Sequence, residues 1–433
     1  MTKVPLNEAM EKALANRLKL MGRILMDMKS YPPSSAADLF SNDYLSLSTD
    51  PVMRDIFLRK VHVSPRIFGS TGARISNGSS EEHNALERQL ERFYNAESAL
   101  TFCSGFNANM AFFSCVPQPK DVIIYDQLMH MSAREGFRSS ACRGSTYKFA
   151  HNSVVDFRRT LQAVLEKHPD ILAGDATVFI VVESLYSMDG DFSPLREIVE
   201  AVEELVPVGR YHIYVDEAHT TALCGPNGSG YVSLLGLNDR VQSVVHTFGK
   251  AFGFHGGVLL SSPLVHRYII GFANHFIFTT SMPYTDVFAM SSALEVVASE
   301  RGQQLRDNLS RLCRYAHASL TQAFKEVPPS LLAIGGREGI HSVGDVQSPI
   351  IPILSPLAME LSDFLRTKGY GASYISIPIA PTPRIRMIIH ARNTEKEIDG
   401  FARILVQWAK EQSTFFARND IPYCDPSPPR ARL

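Results

Sequence analysis

The chain alternates between short apolar runs and amphipathic segments through most of its length. Apolar runs of strand length are followed by segments with apolar residues at helical spacing, which is typical of a mostly parallel sheet covered by helices on both faces. The pattern predicts strands at residues 100–103, 121–125, 177–183, 212–217, 241–248 and 258–261, and helices at residues 6–28, 82–94, 131–139 and 195–205. Because ligands bind beyond the carboxyl ends of the strands in such sheets, we expect the functional site there.

The pattern changes after Pro283. A long helical stretch at residues 287–324 is followed by predicted strands at 348–354 and 385–390 and helices at 359–368 and 395–412. These elements indicate a second, smaller α+β domain. We therefore predict four regions: an N-terminal helix and arm (1–46), a large ligand-binding domain (47–286), a small domain (287–415) and a tail (416–433).

Composition excludes several classes of function. The 433 residues include 43 basic and 44 acidic side chains, and this balance argues against a general nucleic-acid binder. No apolar run reaches the roughly 18 residues of a membrane span, so no membrane segment is predicted. The six cysteines show no C-x-x-C pairing, which favours reduced thiols in an intracellular protein over zinc ligands or disulfides.

The C-terminal residues resemble a targeting signal. Residues 419–433 are polar and proline-rich, and the chain ends in Ala431, Arg432 and Leu433. This small-basic-leucine tripeptide has the chemical pattern of the S-K-L peroxisomal signal. We predict recognition by a peroxisomal import receptor, with a cytoplasmic location as the alternative.

Lys250 lies in an unusual setting for a lysine. It stands between two apolar runs, in Thr247-Phe248-Gly249-Lys250-Ala251, and further glycines follow at 253, 256 and 257. A partly desolvated lysine is a candidate imine former, whereas the alternative is a lysine that keeps its charge at the surface beside a turn. A nucleotide-binding loop is excluded, because the residue after its lysine must be Ser or Thr and here it is Ala251.

Two carboxylates and a glycine turn are predicted at the same edge of the sheet. Glu183, Asp216 and Lys250 all lie at or just past the ends of predicted apolar strands. A strand-end aspartate such as Asp216 either caps the next segment or keeps a proton on a pyridine nitrogen. The strand, glycine turn and helix around Gly105 and Phe106 can hold a phosphate on backbone N–H groups.

Two histidines and two arginines complete the candidates. His130 could stack on a planar ring and His219 could bind a ring hydroxyl, although a loop histidine and a core histidine are the alternatives. Arg384 and Arg386 flank one residue of a predicted strand, and we predict that their guanidinium groups point to opposite faces. One of them is then available to bind a carboxylate bidentately.

Taken in order, several motifs carry a resemblance to a known family. They are Asn42-Asp43-Tyr44-Leu45, Gly69-Ser-Thr-Gly72-Ala-Arg74, His83-x-x-Leu86-Glu87, Ser104-Gly105-Phe106, His130, Glu183-x-x-x-Ser187-Met188-Asp189-Gly190, Asp216-Glu217-Ala218-His219, Thr247-Phe248-Gly249-Lys250 and Thr279-Thr280-Ser281-Met282-Pro283. Over about residues 40–412 the chain resembles the α-oxoamine synthases, which depend on pyridoxal phosphate (PLP). The resemblance implies the α/β fold of aspartate aminotransferase (fold type I), with a mostly parallel seven-stranded sheet and a small α+β domain.

The resemblance also implies roles for individual residues. Lys250 would form the internal aldimine and move the Cα proton, and Asp216 would pair with the pyridinium nitrogen. His130 would stack on the ring and His219 would bind its hydroxyl. The other implied cofactor contacts are Gly105, Phe106, Thr247, Glu183 and Ser187. Family members are dimers with shared sites, so Thr279 and Thr280 would reach the partner's phosphate. Asn42, Ser187 and Arg386 would bind substrate, with Arg384 as the weaker choice for the carboxylate.

The implied reaction joins an amino acid to an acyl-CoA with loss of CoA and CO2, and it needs no metal. Gly72-Ala73-Arg74 favours the branch that joins alanine to pimeloyl-CoA in biotin biosynthesis. The open alternatives are another amino acid and acyl thioester, such as glycine with acetyl-CoA or a longer acyl chain in secondary metabolism, and a non-catalytic partner subunit. Thr220, Ala222 and Ser229 depart from the residues usual in the family.

Overall fold

The computed structural model describes residues 5–21, 36–336, 341–376, 380 and 382–418. Its helices are α1 (Leu6–Met21), α2 (Pro51–Val63), α3 (Glu81–Tyr94), α4 (Gly105–Cys115), α5 (Met131–Ser139), α6 (Val154–Lys167), α7 (Asp170–Ala173), α8 (Leu195–Leu205), α9 (Tyr231–Leu234), α10 (Pro263–Phe272), α11 (Asn274–Ile277), α12 (Tyr284–Ala298), α13 (Glu300–Phe324), α14 (Ala358–Thr367) and α15 (Glu395–Arg418).

Its strands are β1 (Ala37–Asp38), β2 (Ser98–Phe102), β3 (Val122–Asp126), β4 (Thr146–Phe149), β5 (Val178–Glu183), β6 (Tyr211–Asp216), β7 (Ser243–Thr247), β8 (Gly257–Ser261), β9 (Ala333–Ile334), β10 (Ser342–Val343), β11 (Val346–Gln347), β12 (Ile350–Leu354), β13 (Tyr370–Gly371), β14 (Ser373–Ile375) and β15 (Arg384–Ile388). The chain forms two compact units. The large unit comprises residues 42–186 and 191–308, and the small unit comprises the described residues among 1–41, 187–190 and 309–433.

A seven-stranded sheet forms the centre of the large unit. Its strand order is β2-β8-β7-β6-β5-β3-β4, and only β8 runs antiparallel to its neighbours. Strands β5 and β8 are buried along their whole length, because helices cover both faces and leave no polar side of the sheet. The predicted mostly parallel seven-stranded α/β sheet is confirmed.

An aromatic cluster holds α4 and α5 against one face of this sheet. Phe112 and Phe113 of α4 lie 4.6 Å, between ring centroids, from Tyr214 of β6, and Phe137 of α5 packs edge-on against Phe113. These rings are almost fully excluded from water. Burial of each ring contributes roughly 2–3 kcal/mol, so the cluster fixes the start of α4 relative to the strand ends.

The small unit contains a four-stranded antiparallel sheet in the order β14-β15-β12-β9. Helix α14 packs against this sheet, and α15 follows it in the chain. The residues before the large unit also belong here, since β1 pairs in parallel with β13 and the Ile388 N–H donates to the Leu39 carbonyl at 2.8 Å. The predicted small α+β domain is therefore present.

The compact units differ from the predicted domains at both ends of the large unit. Residues 36–41 pack with the C-terminal part of the chain, whereas the prediction grouped residues 1–46 as a separate arm. Helix α12, which the prediction assigned to the small domain, lies within the large unit because it packs against α2 and α3. Its residues are buried on nearly every side, so helical periodicity alone could not show which domain it serves.

Several elements were not predicted from the sequence. Strand β4 is a short polar edge strand that pairs only with β3, so its sequence lacks the apolar run of a central strand. Helices α2, α6 and α10 were also missed. The predicted leading helix is present as α1, while its residues 22–28 and the tail at 419–433 lie outside the described residues.

No helix among the described residues has the length and apolarity needed to cross a membrane. The five cysteines in the described part of the chain (Cys103, Cys115, Cys142, Cys224 and Cys313) are free thiols, and Cys424 lies outside it.

Candidate active site

The strand register aligns the predicted site residues of the large unit. Glu183 at the end of β5 is paired with Asp216 at the end of β6, and Asp216 is paired with Val245 of β7. On the other side of β7, Thr247 is paired with Gly257, which is in turn paired with Phe102 just before the glycine turn. The sheet therefore brings together strand ends that are more than 100 residues apart in the chain.

Asp216 is held by donors on both carboxylate oxygens. The Asn109 Nδ2 donates to Asp216 Oδ2 at 2.8 Å, and the Ala218 N–H donates to Oδ1 at 2.9 Å. The carboxylate is 5% exposed. These two donors fix the orientation of the carboxylate, so Asp216 is positioned to pair with a positive nitrogen.

His130 is the N-cap of α5, and its ring is fixed by that role. Its Nδ1 accepts from the Ser132 N–H at 3.2 Å and lies 2.7 Å from Ser132 Oγ. Burial lowers the pKa of His130, the Lys250 charge lowers it further, and the Asp216 carboxylate opposes both. His130 is therefore a neutral imidazole whose Nδ1 is an acceptor, which places the ring proton on Nε2.

Glu183 is buried against these same groups. Burial and the nearby Asp216 and Asp126 carboxylates raise its pKa well above the usual range, while the His130 backbone N–H and the Lys250 charge oppose the rise. The carboxyl group thus binds the backbone of His130. Its predicted contact with a cofactor stays a prediction.

Lys250 lies in a turn anchored by aromatic rings. Phe248 and Phe252 are fully buried, with ring centroids 4.6 Å apart, and they bracket the half-buried lysine. The Lys250 carbonyl accepts from the Gly253 N–H at 2.8 Å, which closes the turn. The Lys250 charge acts to lower the pKa of both His130 and Glu183, and Lys250 follows the end of β7, the strand next to β6.

The predicted phosphate-binding residues also come together. A Cβ added to Gly105 would lie 3.3 Å from Thr247 Cβ and 3.5 Å from its hydroxyl, and one added to Gly257 would lie 2.7 Å from the Gly105 nitrogen. Gly105 and Phe106 are the first two residues of α4, whose N–H groups have no carbonyl partner within the helix. The helix N-terminus next to the Thr247 hydroxyl is thus a suitable anion cradle.

His219 is paired with a residue from the start of the large unit. Its Nδ1 lies 2.6 Å from the Tyr44 hydroxyl, and this hydroxyl lies 3.3 Å from Asn42 Oδ1. Tyr44 is fully buried and His219 is 6% exposed. The arrangement brings the predicted residues Asn42 and His219 to the same place, with Tyr44 between them.

Thr279 and Thr280 lie beside the Gly72-Ala73-Arg74 motif of the same chain. Thr280 forms an isolated β-bridge with Ala73, and the Ser281 N–H donates to the Gly72 carbonyl at 2.8 Å. Thr280 is exposed and Thr279 is half-buried. Their predicted contact with a partner's phosphate stays a prediction.

In the small unit, Ser187 and Arg386 contact each other, but one prediction about the arginines was wrong. Arg384 binds the Met188 carbonyl at 3.0 Å and pairs with Asp189, while Arg386 Nε donates to the Ser187 carbonyl. Both guanidinium groups therefore point to the same face of β15. Successive side chains alternate on a strand, so residues two apart share a face and were wrongly expected on opposite ones.

Three contributors were not assigned from the sequence: Asn109, Ser132 and Tyr44. The Asn109 side chain is 1% exposed, although the helix around it is apolar. A polar residue at a core position of a helix is the signal that could have identified it, because buried amides require partners.

By contrast, Arg74 and Glu87 of the family motifs form a buried bidentate ion pair at 2.9 Å, which holds the fold.

Two departures from the family pattern have structural explanations. Ala222 adopts φ 65°, a left-handed conformation in which glycine carries no steric cost. The Thr220 hydroxyl donates to Glu217 Oε2 at 2.7 Å, and burial raises the pKa of Glu217 to about 7. Neither residue removes a group from the site described above.

Comparison with known proteins identifies the family. The profile of aminotransferase class I and II matches residues 36–405. The chain belongs to this family. It is 38% identical to the 8-amino-7-oxononanoate synthase of Emericella nidulans, over 89% of this chain and 92% of that one. It is 31% identical to the aminoacyl transferase sphA of Aspergillus fumigatus, over 93% and 87%. A solved structure of serine palmitoyltransferase with a PLP internal aldimine superposes with a TM-score of 0.80 at 23% identity, over 95% of this chain and all of that one.

These findings confirm the resemblance to α-oxoamine synthases, the fold type I architecture and PLP as the cofactor. They also confirm that the chain is an acyl-transferring enzyme of this class. The roles of the individual site residues are not tested by them and remain predictions.

Proposed function

We propose that this chain condenses L-alanine with pimeloyl-CoA to give 8-amino-7-oxononanoate, CoA and CO2, the reaction of 8-amino-7-oxononanoate synthase in biotin biosynthesis. The observation that carries the proposal is that Asp216 ends β6 and Lys250 follows the end of the neighbouring strand β7, with His130 linked to Asp216 by hydrogen bonds. The 38% identity to the fungal synthase over most of both chains supports this choice of substrates.

The residues present fit PLP. Gly257 lets β8 approach the backbone of Gly105 closely, and the first N–H groups of α4 beside Thr247 supply donors for a phosphate. Asp216 offers a fixed carboxylate to a pyridine nitrogen, and His130 offers a neutral ring to a planar one. When bound, the cofactor supplies an electron sink for the carbanion that attacks the thioester.

The chain's own residues then have distinct tasks. Lys250 would hold the cofactor and would move the proton on the substrate Cα. Asp216 keeps a proton on the ring nitrogen, and His219 binds the ring hydroxyl. Asn42, Ser187 and Arg386 bind substrate, with Arg386 on the amino-acid carboxylate through a charge-assisted, bidentate contact.

A second candidate belongs to the same enzyme class. The 31% identity to sphA aminoacyl transferases of two fungi favours an alternative acyl thioester in secondary metabolism. An acyl pocket discriminates one methylene by only about 1–3 kcal/mol, so substrate comparison is needed to separate the two.

The test is product formation by the purified PLP-loaded enzyme. Alanine, glycine and serine are each offered with pimeloyl-CoA, acetyl-CoA and palmitoyl-CoA, and both CO2 release and the ketone product are measured. Turnover confined to alanine with pimeloyl-CoA supports the proposal. Preference for another pair keeps the enzyme class and overturns the substrates, and no turnover with any pair would also contradict the proposed substrates.

The variant Lys250→Ala tests the chemical role assigned to Lys250. It should abolish both turnover and the visible absorbance of the lysine-bound cofactor, while the circular dichroism of the fold persists. Retained turnover would contradict the role assigned to Lys250.

We further propose that the enzyme is a homodimer whose active sites are shared through Thr279 and Thr280. Phe68 and Phe278 support this, because they are 78% and 80% exposed and Phe278 directly precedes the two threonines. Exposed aromatic side chains near a site are typical of a covered interface. Phe68→Ser with Phe278→Ser should give a monomer by analytical ultracentrifugation and lose activity. A dimeric, active double variant would contradict the proposal.

We also propose import into peroxisomes through Ala431, Arg432 and Leu433. The support is the tripeptide itself, which matches the chemical pattern of a receptor-read address. Removal of Leu433 should release a fluorescent fusion, with the fluorophore at the N-terminus, into the cytosol. An unchanged punctate pattern would show that the tail is not the address.

A further inference from the structure

We infer that Asn109 is a positioning residue that fixes Asp216 and His130 relative to each other. Its Nδ2 donates to Asp216 Oδ2 and to Ser132 Oγ, both at 2.8 Å. Ser132 Oγ lies 2.7 Å from His130 Nδ1. One amide group thus connects the acid proposed for the ring nitrogen with the histidine proposed for the ring face.

The amide itself is held from the opposite side. The Tyr214 hydroxyl donates to Asn109 Oδ1 at 2.6 Å, and Tyr214 is fully buried in the aromatic cluster of α4 and β6. This donor leaves only one orientation for the amide, with its oxygen toward Tyr214 and its nitrogen toward Asp216. Because every member is satisfied, the network is rigid, and buried networks of this kind specify geometry.

The chemistry of the network explains why an amide suits this position. Asn109 donates to a carboxylate without carrying charge, so it orients Asp216 without competing with a pyridinium for the negative charge. A lysine or arginine there would neutralise the carboxylate, and an apolar residue would leave it held only by the Ala218 N–H among the hydrogen bonds described above. The Ser132 hydroxyl can donate to His130 Nδ1 while it accepts from the amide, which keeps the imidazole in the tautomer described above.

A second amide of the large unit provides a matched control. Asn152 Nδ2 donates to Asp191 Oδ2 at 2.8 Å, and both groups are at least nine-tenths buried. Asn109→Ala and Asn152→Ala therefore each remove a buried amide–carboxylate bond from the same unit. Of these two amides, only that of Asn109 donates to Asp216.

The experiment reconstitutes the apoenzyme of each variant with PLP labelled with 15N at the ring nitrogen. Loss of a hydrogen bond to a charged group predicts a cofactor dissociation constant about 10–100 times higher for Asn109→Ala. We also expect its ring-nitrogen resonance to move from the protonated toward the unprotonated position. Asn152→Ala should lower thermal stability but keep the wild-type dissociation constant and resonance.

Two milder variants keep the inference testable where Asn109→Ala fails to fold. Tyr214→Phe removes only the hydroxyl that holds the amide and should weaken cofactor binding less than about tenfold in the same direction. Ser132→Ala should weaken binding similarly but leave the nitrogen resonance unchanged, since it releases His130 and not Asp216. Wild-type affinity and resonance in Asn109→Ala or Tyr214→Phe, or equal effects of Asn152→Ala, would overturn the inference.

This inference rests on the role proposed for Asp216, and the two can fail separately. If Asp216→Asn leaves the nitrogen resonance in the protonated position, the role of Asp216 is wrong. If Asp216→Asn moves the resonance while Asn109→Ala does not, only the positioning role of Asn109 is wrong.

Discussion

Two aspartates of the large unit end apolar strands of the same sheet, and their surroundings differ. Asp126 ends β3 and is fully buried, with the N–H groups of Leu128 and Asn152 and the His151 ring donating to it. Asp216 ends β6 and accepts from one amide side chain and one backbone N–H. Asp126 thus has a cationic partner within the protein, whereas the charge of Asp216 is oriented by neutral donors.

The histidine at Asp126 explains this difference. His151 Nδ1 lies 2.9 Å from Asp126, and its Nε2 lies 2.8 Å from Asp191. Burial works to lower the pKa of His151, but the hydrogen bonds of Asp126 and Asp191 raise the pKa to about 10. An imidazolium held between two carboxylates forms a structural ion cluster, so a strand-end aspartate indicates function only when its partners leave its charge available.

The largest effect on activity is expected from removal of the Asp216 charge. Asp216→Asn keeps the shape and removes the charge that maintains a proton on the ring nitrogen, so kcat should fall by about three orders of magnitude or more. The free energy of unfolding should fall by about 1–3 kcal/mol, because the new amide can accept from Asn109 or from Ala218 but not from both. A rate within tenfold of the wild type in steady-state assays would show that another group protonates the ring.

The matched substitution Asp126→Asn should have the opposite effects: a large loss of stability and little loss of activity. It leaves the buried His151 cation with one carboxylate, and loss of one member of such a pair costs about 3 kcal/mol in the free energy of unfolding. Activity per folded molecule should stay within tenfold of the wild type. Urea denaturation measures the free energy of unfolding, and active-site titration gives the activity per folded molecule. A stable variant with abolished turnover would contradict the structural role assigned to Asp126.

The His151 cluster also predicts alkaline instability. The folded-state pKa of about 10 exceeds the unfolded value of about 6.5, so the stabilisation is complete below about pH 6.5. It is lost as pH rises through about 10. The free energy of unfolding should therefore fall by a few kcal/mol over this window in the wild type. His151→Gln should be less stable at pH 7 and show a flatter profile; parallel profiles would contradict the assignment.

The smallest effect is expected where a single hydroxyl supports a site histidine. Tyr44→Phe removes the group 2.6 Å from His219 Nδ1 and should lower kcat/KM about five- to tenfold, the effect of one hydrogen bond. Tyr147→Phe removes a comparable hydroxyl 2.8 Å from His168, outside the site, and should leave kcat/KM unchanged. Equal effects of the two substitutions on kcat/KM would show that His219 takes no part in catalysis.

Much of the architecture followed from local pattern. The central strands β5, β6 and β7 were predicted to within about two residues, because continuous apolar runs that end in polar residues are strong signals. Elements with weaker patterns were missed, including the edge strand β4 and helix α2. The shared face of Arg384 and Arg386 followed from strand geometry but was predicted wrongly.

The sequence by itself determined which chemical groups stand at strand ends and in what order, since motif spacing and hydrophobic periodicity are local properties. Lys250 and Asp216 were proposed in this way, whereas the roles of His130 and His219 depended on the family resemblance. Only the tertiary structure decided which of them interact, because strand order and register pair residues that lie far apart in the chain. It also showed that Asn109, Tyr44 and Ser132 support the site and that Asp126 does not resemble Asp216, because a buried polar side chain takes its role from its partners.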